Sequence, residues 1–243
     1  GGADITANFR PGTMAISIGM LLSALAMTWH LVHFHYVKFN KESMYEVSKK
    51  IILLCIPLLL SAQFIAGILN EALDLTDTNQ ELFISMSHNI FGVLSIAIVV
   101  PILEEVLFRG AIEGYLLRKG WSPKWAILVS ALIFGIIHGN PAQIPFAFLI
   151  GLLFGWLYYR TGSLVPGIVG HIINNSFGAW TMFTATREEL SQTTMETLGT
   201  TITYILLVLA IIVFIGMYLY LNKYLPKPTN IQVKAINEQD ITI

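Results

Sequence analysis

The chain has 243 residues, 55% of them hydrophobic and only 12% charged, with a net charge of −1 and a mean hydropathy of +0.67. Soluble domains carry roughly 25% charged residues, so this composition excludes a water-soluble domain and predicts an all-α, polytopic transmembrane helical bundle. The near-neutral balance without a basic stripe excludes nucleic acid as a partner, and the single cysteine, Cys55, excludes disulfides and a cysteine-based metal site.

The chain starts Gly1-Gly2-Ala3-Asp4, without Met and without a cleavable signal pattern, so an upstream segment is expected to be missing. Residues 1–12 are polar and turn-like, with Pro11 and Gly12. The first span is expected at 13–37 and ends in Trp29, His30, His33, His35 and Tyr36. Three histidines this close raise a metal site, but amphipathic rings at a span end more simply form an interfacial belt. A basic loop with Lys38, Lys41, Lys49 and Lys50 leads to a second span at 51–69, which contains Pro57. An acidic loop follows, with Glu71, Asp74, Asp77 and Glu81. The third span begins near Ile90 and runs past Arg109 towards Arg118 and Lys119.

At Gly120-Trp-Ser-Pro123 the chain turns, with Ser122 placed as N-cap and Pro123 at the first helical position. The fourth span, 124–138, ends at the breaker Gly139-Asn140-Pro141. The fifth is 144–159, and the sixth, 164–183, carries His171 and Asn175. A polar loop with Arg187, Glu188, Glu189 and Glu196 precedes the last span, 202–221, and residues 222–243 read as a loose polar tail. This divides the chain into N-terminal spans (1–89), a core (90–183) and a last span with its tail (184–243).

Assigning alternate loops to alternate sides puts eleven cations on one side: Lys38, Lys41, Lys49, Lys50, Arg118, Lys119, Lys124, Arg160, Lys223, Lys227 and Lys234. Only Arg10 and Arg187 fall on the other, and Arg109 lies inside. The basic side is expected to be cytoplasmic. Seven spans leave the N-terminus outside and the C-terminus in the cytoplasm, and an upstream helix would make eight. The expected location is a bacterial cytoplasmic membrane. Small residues four apart, Gly110/Gly114, Gly135/Gly139 and Gly151/Gly155, are expected to let helices pack closely.

Ionisable groups at membrane depth are costly, about 2.5–3.5 kcal/mol each on insertion scales, and are rarely incidental. The polar groups within the spans are Glu104/Glu105/Arg109, Glu113, His138 with Asn140, and His171 with Asn174/Asn175. Glu105 and Arg109 are four apart on one helical face and are expected to pair as a structural unit. Glu104 is turned ~100° away with no cation one turn from it on its own helix. It needs a partner from another helix, and His138 and His171 are the candidates. Counted at 1.5 Å per residue, Glu104, His138 and Asn175 lie at similar depth, ~20 Å in, with His171 one turn shallower.

A carboxylate and histidines around a water suit hydrolysis, with Glu104 as general base and His171 and Asn175 as donors to the developing oxyanion. The same side chains also suit a metal: Glu104, His138 and His171 would make a zinc ligand set with an open position. Residue chemistry alone leaves both open.

Glu104-Glu105-x-x-x-Arg109, Phe134-x-x-x-His138 and His171-x-x-x-Asn175, in that order on successive helices, resemble the three motifs of the CPBP family. This family comprises CAAX proteases and bacteriocin-processing enzymes, is also called Abi, and includes the type II CAAX prenyl endopeptidases. The segment Tyr158-Tyr-Arg-Thr-Gly-Ser-Leu-Val-Pro-Gly-Ile-Val-Gly-His171 is similar to the family's linker into the third motif. The resemblance covers about residues 90–180. It implies an intramembrane endopeptidase of about eight spans, acting on a membrane-associated or lipidated protein or peptide. It assigns water activation to Glu104 and His138, oxyanion stabilisation to His171 and Asn175, and a structural role to Glu105 and Arg109. The family was named as metalloproteases, and a metal-free glutamate mechanism has been put forward for its prenyl-protease branch. Asn175 is a poor zinc ligand and a good oxyanion donor, which favours the reading without a required cofactor. The competing readings are a non-catalytic scaffold or bacteriocin-immunity protein using the same groove, and an ion or proton pathway. Clustering of the polar groups at one depth speaks against the pathway.

Overall fold

The computed structural model describes residues 12–37, 47 and 49–225. The expected turn at 1–11, Lys38 and Lys41 of the basic loop, and the tail beyond 225 lie outside the described residues. Those described are helical, without a strand. In chain order the helices are α1 (Thr13–His33), α2 (Lys49–Glu71), α3 (Gln80–Ser87), α4 (Ile90–Arg118), α5 (Pro123–Ile137), α6 (Ile144–Thr161), α7 (Val165–Thr184), α8 (Arg187–Ser191), α9 (Thr194–Leu198) and α10 (Thr200–Tyr224).

The helical membrane bundle read from composition is borne out. Five helices, α1, α2, α4, α6 and α10, are long and apolar enough to cross a membrane. The fourth and sixth expected spans become α5, apolar but only 15 residues long, and α7, 20 residues long with His171, Asn174 and Asn175 along it. The acidic stretch before α4 holds α3, and the polar stretch after α7 folds into α8 and α9. Those two begin with reciprocal capping boxes, Thr186 with Glu189 and Thr193 with Glu196.

Helix α4 is the axis of the bundle. Asn89 caps it, accepting from the Gly92 N–H at 2.7 Å. The helix is not α-helical throughout: Ser95–Val99 and Val106–Glu113 are π-helical, on either side of the α-helical turn Val100–Glu105 that carries the two carboxylates. Each π segment lends a carbonyl to a side chain of another helix. Asn175 of α7 donates to Ile96 O at 2.9 Å, and Ser130 of α5 donates to Phe108 O at 2.8 Å. At the first of these the cause is Pro101. The Val100 N–H bonds Ser95 O, five residues back. Pro101, next in that ladder, has no N–H to offer Ile96.

Around α4, α5 and α6 form a closely packed hairpin, α1 lies along the first half of α4, and α7 is held among α2, α3, α4 and α6. A core of Cys55, Leu58, Leu59, Phe154, Leu157 and Leu221 joins α2, α6 and α10. Close approach depends on glycine: a Cβ on Gly151 would lie 3.1 Å from Phe134 Cδ1, and one on Gly110 only 2.7 Å from Val37 Cγ1. Gly139 departs from the packing role expected of it. It has open space around its Cα and a φ of +60°, so it serves the turn after α5.

One further expectation holds in position only, and another is corrected. Ser122 stands at the N-cap of α5 but its side chain makes no capping bond. Arg160, counted as a loop cation, is buried. Its guanidinium donates to Asn222 O at 2.9 Å and Leu225 O at 3.0 Å, closing the last turn of α10.

Near the end of α1, the His33 ring stacks on Trp29 and the His30 ring on Tyr36. These are aromatic contacts of the kind an interfacial belt makes.

Candidate active site

Of the two adjacent carboxylates, Glu105 faces inward and is fully buried, whereas the Glu104 side chain keeps 19% exposure. Helical geometry alone requires that difference of direction. Arg109, one turn on from Glu105, brings its Nε to 3.5 Å from Glu105 Oε2. This is the pairing expected from spacing. Arg109 is fixed further by a hydrogen bond from Nη2 to Gly151 O at 3.1 Å and by the Phe134 ring, whose centroid lies 4.5 Å from Cζ.

The partner Glu104 required comes from α7. His171 Nε2 lies 3.4 Å from Glu104 Oε2, and Nδ1 lies 3.3 Å from Glu105 Oε1. One buried imidazole therefore bridges both carboxylates, which spacing along α4 did not reveal. A carboxylate only accepts, so the Nδ1 contact assigns a hydrogen to that nitrogen.

His138, just past the end of α5, has Nδ1 at 2.7 Å from Phe134 O. A carbonyl also only accepts, so the hydrogen is assigned to Nδ1, and Nε2 of the neutral ring is left as an acceptor. Asn175 uses one N–H on Ile96 O and its Oδ1 to accept from Asn174 at 3.0 Å, which leaves its second N–H available.

Glu104, His138, His171, Asn174 and Asn175 all line one cavity of about 370 Å³. The groups that the depth estimate from sequence placed at similar depth line the same cavity. Two other polar residues singled out by sequence lie elsewhere. Asn140 is fully buried in the turn between α5 and α6, where it donates to Asp77 Oδ1 at 2.7 Å and accepts from the Thr78 N–H at 3.1 Å. Glu113 is fully buried against α6, where a Cβ on Gly155 would come within 2.7 Å of its Oε2.

Sequence reasoning missed Gly167, which faces Glu105 so closely that a Cβ would meet Oε2 at 2.5 Å. It also missed the Ile96 carbonyl, although Pro101 signalled that a helical acceptor nearby would lack its donor. Asn79 and Gln143, which also line the cavity, carried no sequence signal because they lie in or beside turns.

Among the described residues no three His, Cys, Asp or Glu side chains group to hold an ion. Glu104 and His171 meet, while the bond of His138 Nδ1 to Phe134 O leaves Nε2 as its acceptor.

Residues 86–177 match the family model described as type II CAAX prenyl endopeptidase Rce1-like, which bears out the resemblance carried by the three motifs. The chain is 38% identical to a protein named as a membrane peptidase, YdiL of Bacillus subtilis, over 33% of this chain and 33% of that protein. It is 33% identical to the membrane-embedded CAAX protease MroQ of Staphylococcus aureus, over 42% of each. It is 28% identical to the UPF0177 protein YxdF of Lactococcus lactis, over 50% of this chain and 63% of that protein. The matches thus span between a third and just under two thirds of these relatives' lengths. No solved structure matches the chain. With its apolar helices and membrane-protease relatives, the protein is an integral membrane protein.

Proposed function

We propose that this chain is an intramembrane endopeptidase that hydrolyses a peptide bond of a membrane-associated or lipidated protein or peptide. The proposal includes seven crossings of a bacterial cytoplasmic membrane with the C-terminus in the cytoplasm. The observation that carries it is the contact between Glu104 and His171 at the floor of a cavity that His138 and Asn175 also line.

In this reading His171 carries a hydrogen on Nε2 and Glu104 is the accepting carboxylate. Glu104 accepts a proton from water as the water oxygen attacks the scissile carbonyl, and His138 Nε2 accepts the water's other hydrogen to orient it. The carbonyl electron pair moves onto oxygen, and His171 Nε2–H, released as Glu104 takes the water's proton, and the second Asn175 N–H donate to the developing charge. The proton held by Glu104 passes to the leaving nitrogen as the C–N bond breaks, which returns the carboxylate. Glu105 holds the imidazole by Nδ1, and Arg109 holds Glu105. No step uses a metal ion.

The test compares protein termini in membranes and medium of host cells expressing wild type or Glu104→Gln at matched levels. A terminus that appears with wild type and falls ~10²-fold or more in the variant supports the proposal and names the substrate. Identical termini, with the wild-type phenotype retained by Glu104→Gln, overturn it in favour of a binding role for the groove.

A further inference from the structure

The cavity is one-sided along the bundle axis. Its floor is Glu104, midway along α4 and roughly 20 Å from either end at ~1.5 Å per residue, together with His171. From there the lining continues only towards one set of helix ends. Along α4 it passes Val100 and Ile96, approaching the start of the helix; along α7 it passes Asn175 and Ala179 to Met182, approaching the end. It reaches the first turns of α6 at Phe146 and the second turn of α1 at Met20. At the far rim stand Asn79, just before α3, and Gln143, just before α6, both partly exposed.

None of the charged residues at the opposite helix ends, Lys49, Lys50, Arg118, Lys124, Arg160 or Lys223, lines it. The open end belongs to the face with the acidic loop, and its surroundings are built. Glu71 accepts from the Thr194 N–H at 3.0 Å and hydroxyl at 2.6 Å, Arg187 pairs with Glu81, and Gln80 donates to Leu190 O at 3.4 Å. Helices α8 and α9 are thereby tied beside α2 and α3 around the rim. Among the described residues Lys49, Lys50, Arg118, Lys119, Lys124, Arg160 and Lys223 stand at the opposite helix ends and only Arg187 lies beside the rim, so the positive-inside rule puts the open end outside the cytoplasm.

We infer that the cavity admits its occupant from the extracytoplasmic face. The occupant is a peptide segment that lies in, or has been moved to, the outer half of the bilayer, with apolar side chains against Met20, Ile96, Phe146 and Met182 and its backbone reaching Asn79 and Gln143 at the rim. A peptide confined to the cytoplasm does not reach Glu104. This deepens the proteolytic reading and rests on it for the nature of the occupant, but the access face is tested without proteolysis.

In a Cys55→Ser background, single variants Asn79→Cys, Gln143→Cys and, at the opposite end, Lys124→Cys are treated with a membrane-impermeant maleimide, using spheroplasts and inverted vesicles. Labelling at Asn79→Cys and Gln143→Cys is expected to be at least ~10-fold faster in spheroplasts, and at Lys124→Cys in inverted vesicles, the contrast an intact bilayer imposes. The reverse pattern overturns the inference, and so does labelling of both rim positions only after detergent. Two rim positions keep the test decisive if one variant fails to fold. If Glu104→Gln retains cleavage while the labelling pattern holds, the proteolytic reading falls and the access face stands. If Glu104→Gln is inactive but the labelling is reversed, only the access face falls.

Discussion

Asn175 donates to the carbonyl of Ile96 at 2.9 Å, the acceptor that Pro101 leaves without a helical donor. The first π-helical segment of α4 and a side chain proposed to face the oxyanion are therefore one coupled unit. Asn175→Ala leaves that carbonyl unsatisfied and is expected to cost about 1–3 kcal/mol. In a Pro101→Ala background the restored N–H supplies the missing donor, so the same change is expected to cost less. A double-mutant cycle on thermal stability in detergent should give a coupling of about 0.5–3 kcal/mol. Additive losses would mean that Pro101 does not govern this bond.

Gly167 is where α7 comes nearest to the buried carboxylate. Gly167→Ala places a methyl 2.5 Å from Glu105 Oε2. Arg109 and His171 pin that carboxylate, so it cannot turn aside without breaking a contact. The expected loss of stability is about 1–3 kcal/mol, with a larger fractional loss of cleavage as His171 shifts. An unfolding midpoint and a cleavage rate equal to wild type would show that the carboxylate has slack.

Removing one member of the buried pair is expected to cost more than removing both. Arg109→Met strands Glu105, fully buried, and should cost about 3–5 kcal/mol. Glu105→Gln with Arg109→Met should recover part of that stability. Cleavage should not recover, because Glu105 also holds His171 Nδ1. Stability measured in detergent and cleavage measured in membranes separate the two roles.

Outside the membrane the capping boxes set an acid sensitivity. Hydrogen bonds from the Thr186 N–H and then its hydroxyl hold the Glu189 carboxyl below the usual carboxylate range, and Thr193 does the same for Glu196. A carboxyl lowered in the folded state stabilises fully above its unfolded pKa and loses that contribution as pH falls through the folded one. Hydrogen exchange, corrected for intrinsic rates, should show α8 and α9 protected at neutral pH and progressively less protected as pH falls below the ordinary glutamate value of ~4.3. Glu189→Gln should weaken α8 protection already at neutral pH and flatten its pH dependence.

Chelators are expected to leave cleavage unchanged, because three metal-ligating side chains do not group among the described residues. Dialysis of the purified protein against a strong chelator, followed by assay with and without added zinc, checks this. Loss of activity restored only by zinc would require Glu104, His138 and His171 to rearrange into a donor set.

Pairing of Glu105 with Arg109 follows from a four-residue spacing on one helix, and so it was legible from the sequence. So were the common depth of Glu104, His138 and Asn175, which is a count along apolar spans, and the capping boxes, which spell Thr-x-x-Glu twice at 186–189 and 193–196. His171 was one of two candidates for Glu104, and nothing along the chain chose between them. That choice depends on how α7 is rotated against α4, which is set by Gly167 allowing contact at Glu105 and by Asn175 anchoring on Ile96.

The sequence by itself determined the solvent: apolar runs bind the chain to a bilayer, where backbone groups must be satisfied within helices. It also determined which groups pair along a helix, since that geometry is local. The tertiary structure decided that one imidazole bridges two carboxylates, that α4 relaxes into π turns beside them, and that the cavity runs from the middle of the bundle to one end only. Those are relations between helices, and their rotation and separation are fixed by close packing of many side chains at once, not by the spacing of any one pair.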